Sequence, residues 1–152
     1  MAVPVAGMFP HVGHPLGNTN RVNMWLFSGT ALTTTSGTLS AVAGDVDTPY
    51  MSITKVAGEA GRYRVQMIDR NNQAVGGFKL FEAFTVAVIG AADAAYTAGK
   101  ALPWFIRNKD PQGGVFDIQF CQVNGVTDYL DDELEDGASF TFSFLAKKSS
   151  AP

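Results

Sequence analysis

The segment 138–145 alternates aromatic rings with small side chains. An extended backbone points successive side chains to opposite faces, so every second residue shares a face. The rings are Phe140, Phe142 and Phe144, and the residues between them are Ser139, Thr141 and Ser143. Burying one phenylalanine side chain contributes roughly 1.5–3 kcal/mol, whereas a row of rings left on an open strand would promote aggregation. The sequence therefore predicts a strand whose aromatic face packs inside a sandwich or barrel.

Other short segments show the same alternation and are separated by glycine, asparagine and aspartate turns. Residues 62–68 place Tyr63, Val65 and Met67 on one face, and residues 115–123 repeat the pattern with Phe116, Ile118 and Phe120. The predicted strands are 21–28, 50–56, 62–68, 78–89, 103–108, 115–123 and 138–145. No long segment has helical periodicity, so the sequence predicts an all-β domain: a single β-sandwich or jelly-roll-like barrel.

Some segments carry additional expectations. Residues 21–28 have apolar side chains on both sides, which predicts a strand covered on both faces, and the phase change near Phe81 predicts a bend or bulge. Residues 30–44 are read as a loosely packed strand with wide turns. Residues 91–101 form either a short helical turn or a loop.

The first twenty residues contain no Lys, Arg, Asp or Glu and three prolines, which predicts an extended arm. The domain organisation is thus an arm at 1–20, a β-sandwich or barrel at 21–147 and a flexible polar tail at 148–152. Because the arm is too apolar for a solvated tail, it lies either across its own domain or on a neighbouring subunit. The candidate partner-binding residues of the arm are Val3, Val5, Met8, Phe9 and Leu16.

Composition narrows the functional classes. With 152 residues the chain suits one domain, and its 16% of charged residues is low for a free monomer, which suggests that a partner covers part of the surface. A net charge of −3 argues against nucleic acid. No apolar run reaches the roughly 18 residues of a membrane helix, and no basic region precedes an apolar one at the N-terminus. We expect a soluble protein made in a cytoplasm.

The residues that could support catalysis or metal binding are sparse. Cys121 is the single cysteine, which excludes an internal disulfide and predicts a small buried side chain. His11 and His14 are spaced to approach one metal ion, but two ligands do not define a zinc site. No Gly-Xaa-Ser-Xaa-Gly motif occurs, which argues against nucleophilic catalysis, and no glycine-rich phosphate loop is present. We therefore predict no catalytic, cofactor-binding or metal-binding residues. A small barrel enzyme would instead need one of these histidines beside an acid in a cleft.

Six acids fall within residues 128–136. They suit a calcium site or paired catalytic carboxylates, but the spacing lacks the alternating ligands of an EF-hand, so a solvated acidic loop is favoured. This run also predicts one helical turn that directs Tyr129, Leu130 and Leu134 inward. If the loop is functional, electrostatic contact with a basic partner is expected at Asp131, Asp132, Glu133 and Glu135.

The aromatic residues outside the phenylalanine strand have two readings. They could form a flat platform for carbohydrate, or they could belong to the core, which is the commoner role of aromatics at strand positions. The residues concerned are Trp25, Tyr50, Tyr96, Trp104 and Tyr129.

The uncharged arm, the β-rich body, the segment AADAAYTAGKALPW at 91–104 and the ending DGASFTFSFLAKKSS at 136–150 resemble the capsid decoration (cement) proteins of tailed bacteriophages. The resemblance implies a structural virion protein, often a homotrimer, that binds the outer capsid surface and stabilises contacts between major capsid subunits. It implies no catalysis, cofactor, small-molecule substrate, nucleic acid or membrane. The alternative is a carbohydrate- or receptor-binding β-module of a phage tail or fibre.

Overall fold

The computed structural model of the protein describes residues 11–12, 22–90, 103–124 and 128–149. These residues form two five-stranded antiparallel sheets packed against each other, which confirms the predicted all-β sandwich. Each strand has one face toward the partner sheet, so hydrophobic side chains alternate with outward-facing ones.

The strands are β1 (His11–Val12), β2 (Val22–Leu32), β3 (Val46–Asp47), β4 (Met51–Lys55), β5 (Arg62–Met67), β6 (Leu80–Ile89), β7 (Trp104–Asp110), β8 (Val115–Asn124), β9 (Asp128–Asp131) and β10 (Ser139–Ser149). A short 3-10 helix, Thr35–Gly37, follows β2. Sheet one has the order β1-β2-β10-β6, and β3 also pairs with β2. Sheet two has the order β4-β5-β8-β7, and β9 also pairs with β8.

The phenylalanine strand is β10, and it lies in the centre of sheet one. It pairs with β2 over its whole length and with β6 on its other side. Phe140, Phe142 and Phe144 are buried. The ring of Phe144 stacks on Phe27 with a centroid distance of 5.4 Å and meets Phe116 of the opposite sheet edge-on at 4.8 Å. The aromatic face thus joins the two sheets, as the alternation predicts.

The alternation in β5 and β8 is also confirmed. Tyr63, Val65 and Met67 are buried toward sheet one, as are the inward-facing aromatic and aliphatic residues of β8. The outward-facing Asp117 and Gln119 of β8 are fully buried as well, under polar side chains of neighbouring strands. The sequence pattern predicted that Asp117 and Gln119 point outward but did not indicate that they are buried there.

The prediction that residues 21–28 are covered on both faces is wrong. Trp25 and Phe27 are buried, but Leu26 is 42% exposed on the opposite face. The reason is that sheet one is an outer layer of a two-layer structure, so only one of its faces meets the other sheet. The strand is also longer than predicted and ends at Leu32, after which residues 33–45 contain the 3-10 helix and turns.

The helical turn predicted in the acidic run is wrong as well. Residues 128–131 form strand β9, with Tyr129 64% exposed and Leu130 46% exposed, whereas Leu134 is buried as predicted. Pairing with β8 explains the difference. Val123 lies opposite Tyr129, so the backbone hydrogen bonds are made between strands and the segment is extended.

The predicted irregularity of the 78–89 strand is present as a bulge in β6. The register against β10 shifts between Ser143 and Leu145, and Ala83 adopts a positive φ of 54° at this point. The extra residue reconciles the two phases of the sequence pattern, since Phe81 and Phe84 both contact Phe144.

Two findings concern the ends of the domain. His11 and Val12, within the predicted arm, pair with Trp25 and Met24 of β2. At the other end β10 continues to Ser149, two residues past Lys147. The predicted helical turn or loop at 91–101 lies outside the described residues.

Candidate functional site

The outer face of sheet one carries small side chains at its centre, and Asp47 on β3 is the charged one among them. The strand registers align Asp47, Thr30, Thr141 and Ala87 in one row across β3, β2, β10 and β6. A second row aligns Ser28, Ser143 and Thr85. Directly opposed residues in an antiparallel ladder have Cβ atoms about 4.5–5.5 Å apart, so these side chains form a closely spaced grid.

Larger side chains border this grid along the strands. Leu26 and Leu145 are register partners at one end, and Leu32 and Ile89 flank Ser139 at the other. The short side chains between them leave a groove of about 360 Å³, which we call the hydroxyl groove. Its lining residues are Ser28, Gly29, Thr30, Asp47, Pro49, Thr85, Ala87, Thr141, Phe142 and Ser143.

The side-chain hydroxyl and carboxylate groups of the hydroxyl groove have no hydrogen-bond partners within the described part of the chain. This holds for the five hydroxyls of Ser28, Thr30, Thr85, Thr141 and Ser143. The carboxylate of Asp47 also lacks a hydrogen bond or ion pair there. The groove therefore presents both donors and acceptors to solvent.

Gly29 lies between Ser28 and Thr30 on β2 and faces the core beneath the groove. A Cβ atom at this position would lie 2.8 Å from the ring of Phe142 and 2.9 Å from Cγ2 of Thr48, both too close for a van der Waals contact. The absence of a side chain lets the Phe142 ring pack directly under β2.

The outer face of sheet two is instead charged and internally paired. Arg64 makes a bidentate contact with Asp117, with Nε–Oδ1 at 2.8 Å and Nη2–Oδ2 at 3.1 Å, and Asn108 donates to Oδ2 at 2.6 Å. Burial would by itself raise the pKa of Asp117, but these hydrogen bonds and the positive charges of Arg64 and Arg62 outweigh it and hold the pKa below its usual value. The same hydrogen bond and charge raise the pKa of Arg64.

The hairpin of β8 and β9 extends beyond the body of sheet two. β5 pairs with β8 only as far as Gln119, and the ladder with β7 ends at Phe120. From Gln122 onward, β9 is the one strand paired with β8 among the described residues. Val123 and Tyr129 are opposed on one face and are 58% and 64% exposed, and Leu130 is exposed on the other. We call these three side chains the hairpin cluster.

The acids predicted to make electrostatic contacts lie at the base of this hairpin and in the loop after it. Asp131 is 3.6 Å from Arg107 and 3.9 Å from Arg62, so it already has partners within the chain. Glu133 pairs with Lys55. Asp132 and Glu135 are half-buried. The contact with a basic partner stays a prediction, with Asp128 as a further exposed acid beside the hairpin cluster.

Glu133 also closes a compact junction between two loops. Its Oε2 atom is buried without a hydrogen bond among the described residues, and a Cβ on Gly37 would clash with it. Gly37 has a φ of +68°, and its carbonyl accepts a 2.7 Å hydrogen bond from the hydroxyl of Tyr63. Glycine suits this position because it adopts a positive φ readily and has no Cβ to clash with Glu133. The site holds the 3-10 helix against the acidic loop and is structural in character.

This leaves the arm residues, the two histidines and Cys121 among the residues singled out from the sequence. The arm residues Val3, Val5, Met8, Phe9 and Leu16, together with His14, lie outside the described residues, as does the side chain of His11. Within the described ranges, no three His, Cys, Asp or Glu side chains are placed to hold a metal ion. Cys121 is buried as predicted, and burial together with the nearby Asp131 raises its thiol pKa.

The alternative of an aromatic platform for carbohydrate is not supported by the described aromatic residues, which lie in different parts of the domain. Trp25 is buried, and Tyr50 and Trp104 pack against the core. Tyr129 is exposed on the hairpin, and Tyr96 lies outside the described residues. The sequence did not predict the hydroxyl groove. The alternation in β10 indicated that Thr141 and Ser143 share a face, but the residues beside them come from strands far apart in the chain.

Comparisons with protein-family models, with curated proteins and with solved structures give no match. Within the described residues, no helix has the length and apolar character needed to cross a membrane.

Proposed function

We propose that this protein is a structural virion protein that binds the outer surface of a phage capsid and stabilises contacts between major capsid subunits, without catalysis. The observation that supports this proposal best is the hairpin cluster, Val123, Tyr129 and Leu130. It combines three exposed large hydrophobic residues on one projecting element. Grouped exposure of this kind is typical of a contact surface for another protein.

The hairpin can insert between other subunits because it is a two-stranded ribbon with two accessible faces. Val123 and Tyr129 occupy one face, and Leu130 occupies the other. Burial of apolar surface contributes about 25 cal/mol per Å², and tyrosine is enriched in protein interfaces. A ribbon with apolar groups on both faces thus suits a junction between two capsid subunits better than a single flat surface.

Charge supports the same arrangement. Asp128 is exposed beside the hairpin cluster, and Asp132 is partly accessible. Acidic groups around an apolar contact favour a partner with complementary basic side chains and exclude acidic ones. The major capsid protein would therefore present basic residues around an apolar depression.

The uncharged sequence of residues 1–20 supplies the second part of the proposal. In a particle, the arm residues Val3, Val5, Met8, Phe9 and Leu16 would contact a neighbouring subunit. Once the hairpin is bound, the arm binds at a high effective concentration, so modest contacts add strongly to affinity. A homotrimer on the virion surface would engage three such arms and multiply this effect.

The proposal predicts that removing the apolar side chains of the hairpin abolishes capsid binding. We would combine Val123→Ser, Tyr129→Ser and Leu130→Ser and measure co-sedimentation with capsids that lack the protein. The expected result is at least a tenfold loss of occupancy, about 1.4 kcal/mol or more in binding free energy. The matched control is Val42→Ser, a 66% exposed apolar residue in a different loop, which should bind normally. Wild-type occupancy by the triple variant would contradict the proposal.

A further inference from the structure

The hydroxyl groove lies on a different part of the surface from the hairpin cluster and is not used by the proposed capsid contact. It belongs to the outer face of sheet one, whereas the hairpin extends from sheet two. The hairpin contact does not involve the residues that line the groove. Its chemistry can therefore be considered independently of capsid binding.

The groove concentrates hydrogen-bonding capacity that the chain does not itself use. Five hydroxyls and the Asp47 carboxylate line about 360 Å³ without hydrogen-bond partners among the described residues. Each hydroxyl can donate one hydrogen bond and accept others. A ligand with several neighbouring hydroxyls would pair with such a grid over both rows, whereas an aliphatic ligand would leave it unpaired.

Electrostatics select among hydroxylated ligands. Asp47 is the single ionisable residue of the lining, and no lysine or arginine is present among the lining residues. A carboxylate accepts hydrogen bonds strongly from hydroxyl groups, but it repels sialic acid, sulfate and phosphate. The groove therefore favours a neutral ligand over an acidic one.

Size and shape agree with a short carbohydrate segment. The volume of about 360 Å³ lies at the lower end of the range typical of ligand sites, roughly 300–1,000 Å³. Ala87 and Pro49 add small apolar surfaces among the hydroxyls. The Phe142 ring is only 4% exposed and lies below the floor, so it adds no stacking platform.

We infer that the hydroxyl groove is a binding site for neutral glycans, with Thr141 and Ser143 at its centre and Asp47 as the acceptor at its edge. Without ring stacking, a single site binds weakly. Many copies on one particle would raise the overall affinity by multivalency. The site would then attach a particle to neutral sugars on a surface, in addition to its proposed structural role.

The test applies the full-length protein, in the oligomeric state in which it is purified, to immobilised oligosaccharides that end in glucose, galactose, mannose or N-acetylglucosamine. Sialylated and sulfated forms serve as anionic comparisons. The wild type should be retained by at least one neutral glycan and not by its anionic form. Combining Thr141→Val with Ser143→Ala should reduce retention by about tenfold or more, since two hydrogen-bonding groups are lost at similar side-chain volume.

The matched control is Thr54→Val, which removes an exposed hydroxyl from β4 on the outer face of sheet two. It should retain wild-type binding. A second variant, Asp47→Asn, should weaken the discrimination against anionic glycans. The thermal unfolding midpoint of each variant establishes that it is folded. Failure of the wild type to bind any neutral glycan, or binding that is unchanged in the Thr141 and Ser143 variant, would overturn the inference. The capsid assay above is independent of either result.

Discussion

Asp117 illustrates how a single residue can be fully buried on the outer face of a sheet. Its carboxylate accepts two hydrogen bonds from Arg64 and one from Asn108, and these side chains cover it from solvent. An unpaired carboxylate in this position would be strongly unfavourable. The pairing makes the residue a stabilising group whose contribution depends on its ionisation.

We expect Asp117→Asn to lower the free energy of unfolding at pH 7 by about 1–3 kcal/mol, because hydrogen bonds to a charged acceptor are replaced by weaker ones. Chemical denaturation followed by tryptophan fluorescence measures the change. The exposed Asp128 provides the control, and Asp128→Asn should shift the stability by less than about 0.5 kcal/mol. Equal changes in the free energy of unfolding for the two substitutions would show that the contact between Asp117 and Arg64 does not stabilise the fold.

The depressed pKa of Asp117 also predicts a pH dependence. A carboxyl group with a folded pKa below its unfolded value of about 3.9 stabilises the protein above that pH and loses its contribution as pH falls through the folded pKa. The difference in stability between wild type and Asp117→Asn should therefore be largest near neutral pH and shrink below about pH 4. Denaturation curves at several pH values test this, and a difference that grows on acidification would contradict it.

At the scale of elements, the contrast between β10 and β9 shows when alternation is a sufficient guide. Phe140, Phe142 and Phe144 are so apolar that only one face of β10 can be the buried one. In β9 the apolar Tyr129 and Leu130 are adjacent, so an extended strand must point them to opposite faces. A two-stranded ribbon covers neither face, and both residues are exposed.

This assignment predicts different costs for two nearby leucines. Leu134→Ala should destabilise the protein by about 2–4 kcal/mol, since Leu134 is buried in the core. Leu130→Ala should change the free energy of unfolding by less than about 0.5 kcal/mol, since Leu130 is 46% exposed. Denaturant titrations of the two purified variants provide the measurement. A large loss of unfolding free energy in Leu130→Ala would contradict the exposed strand and favour the inward-facing helical turn predicted from the acidic sequence.

At the scale of the whole molecule, the two outer faces have opposite characters. Sheet one presents the hydroxyl groove, whose single ionisable lining residue is Asp47, and sheet two presents arginines paired with Asp117 and Asp131. The apolar hairpin projects from the second sheet, and the uncharged arm joins the first through the two-residue strand β1. Each of these surfaces can thus serve a different contact in an assembly.

Deleting residues 2–20 should separate folding from assembly. The deletion removes β1, which contributes only two residues at the edge of β2, so the thermal midpoint should fall by no more than a few degrees. Occupancy on capsids should be lost, because the proposed contacts of the arm are gone. As a separate measurement, light scattering of the intact chain should give three times the 16.2 kDa of one copy if the protein is a homotrimer. A truncated protein that decorates capsids normally would contradict the role of the arm.

The sequence by itself determined the fold class and most of the core. Strong alternation at 62–68, 115–123 and 138–145 leaves one choice of buried face, because the cost of exposing large apolar groups is far greater than any local preference. The same local information indicated the hydroxyl side of β10. It could not show which strands would lie beside β10.

Only the tertiary structure decided the candidate sites. The hydroxyl groove requires Ser28, Thr85 and Asp47 to align with β10 across three strand pairings, and the burial of Asp117 requires Arg64 and Asn108 from its two neighbours. Which residues become neighbours depends on the order and register of strands far apart in the chain. Alternation specifies the face of each side chain, whereas the packing of the whole domain specifies its neighbours.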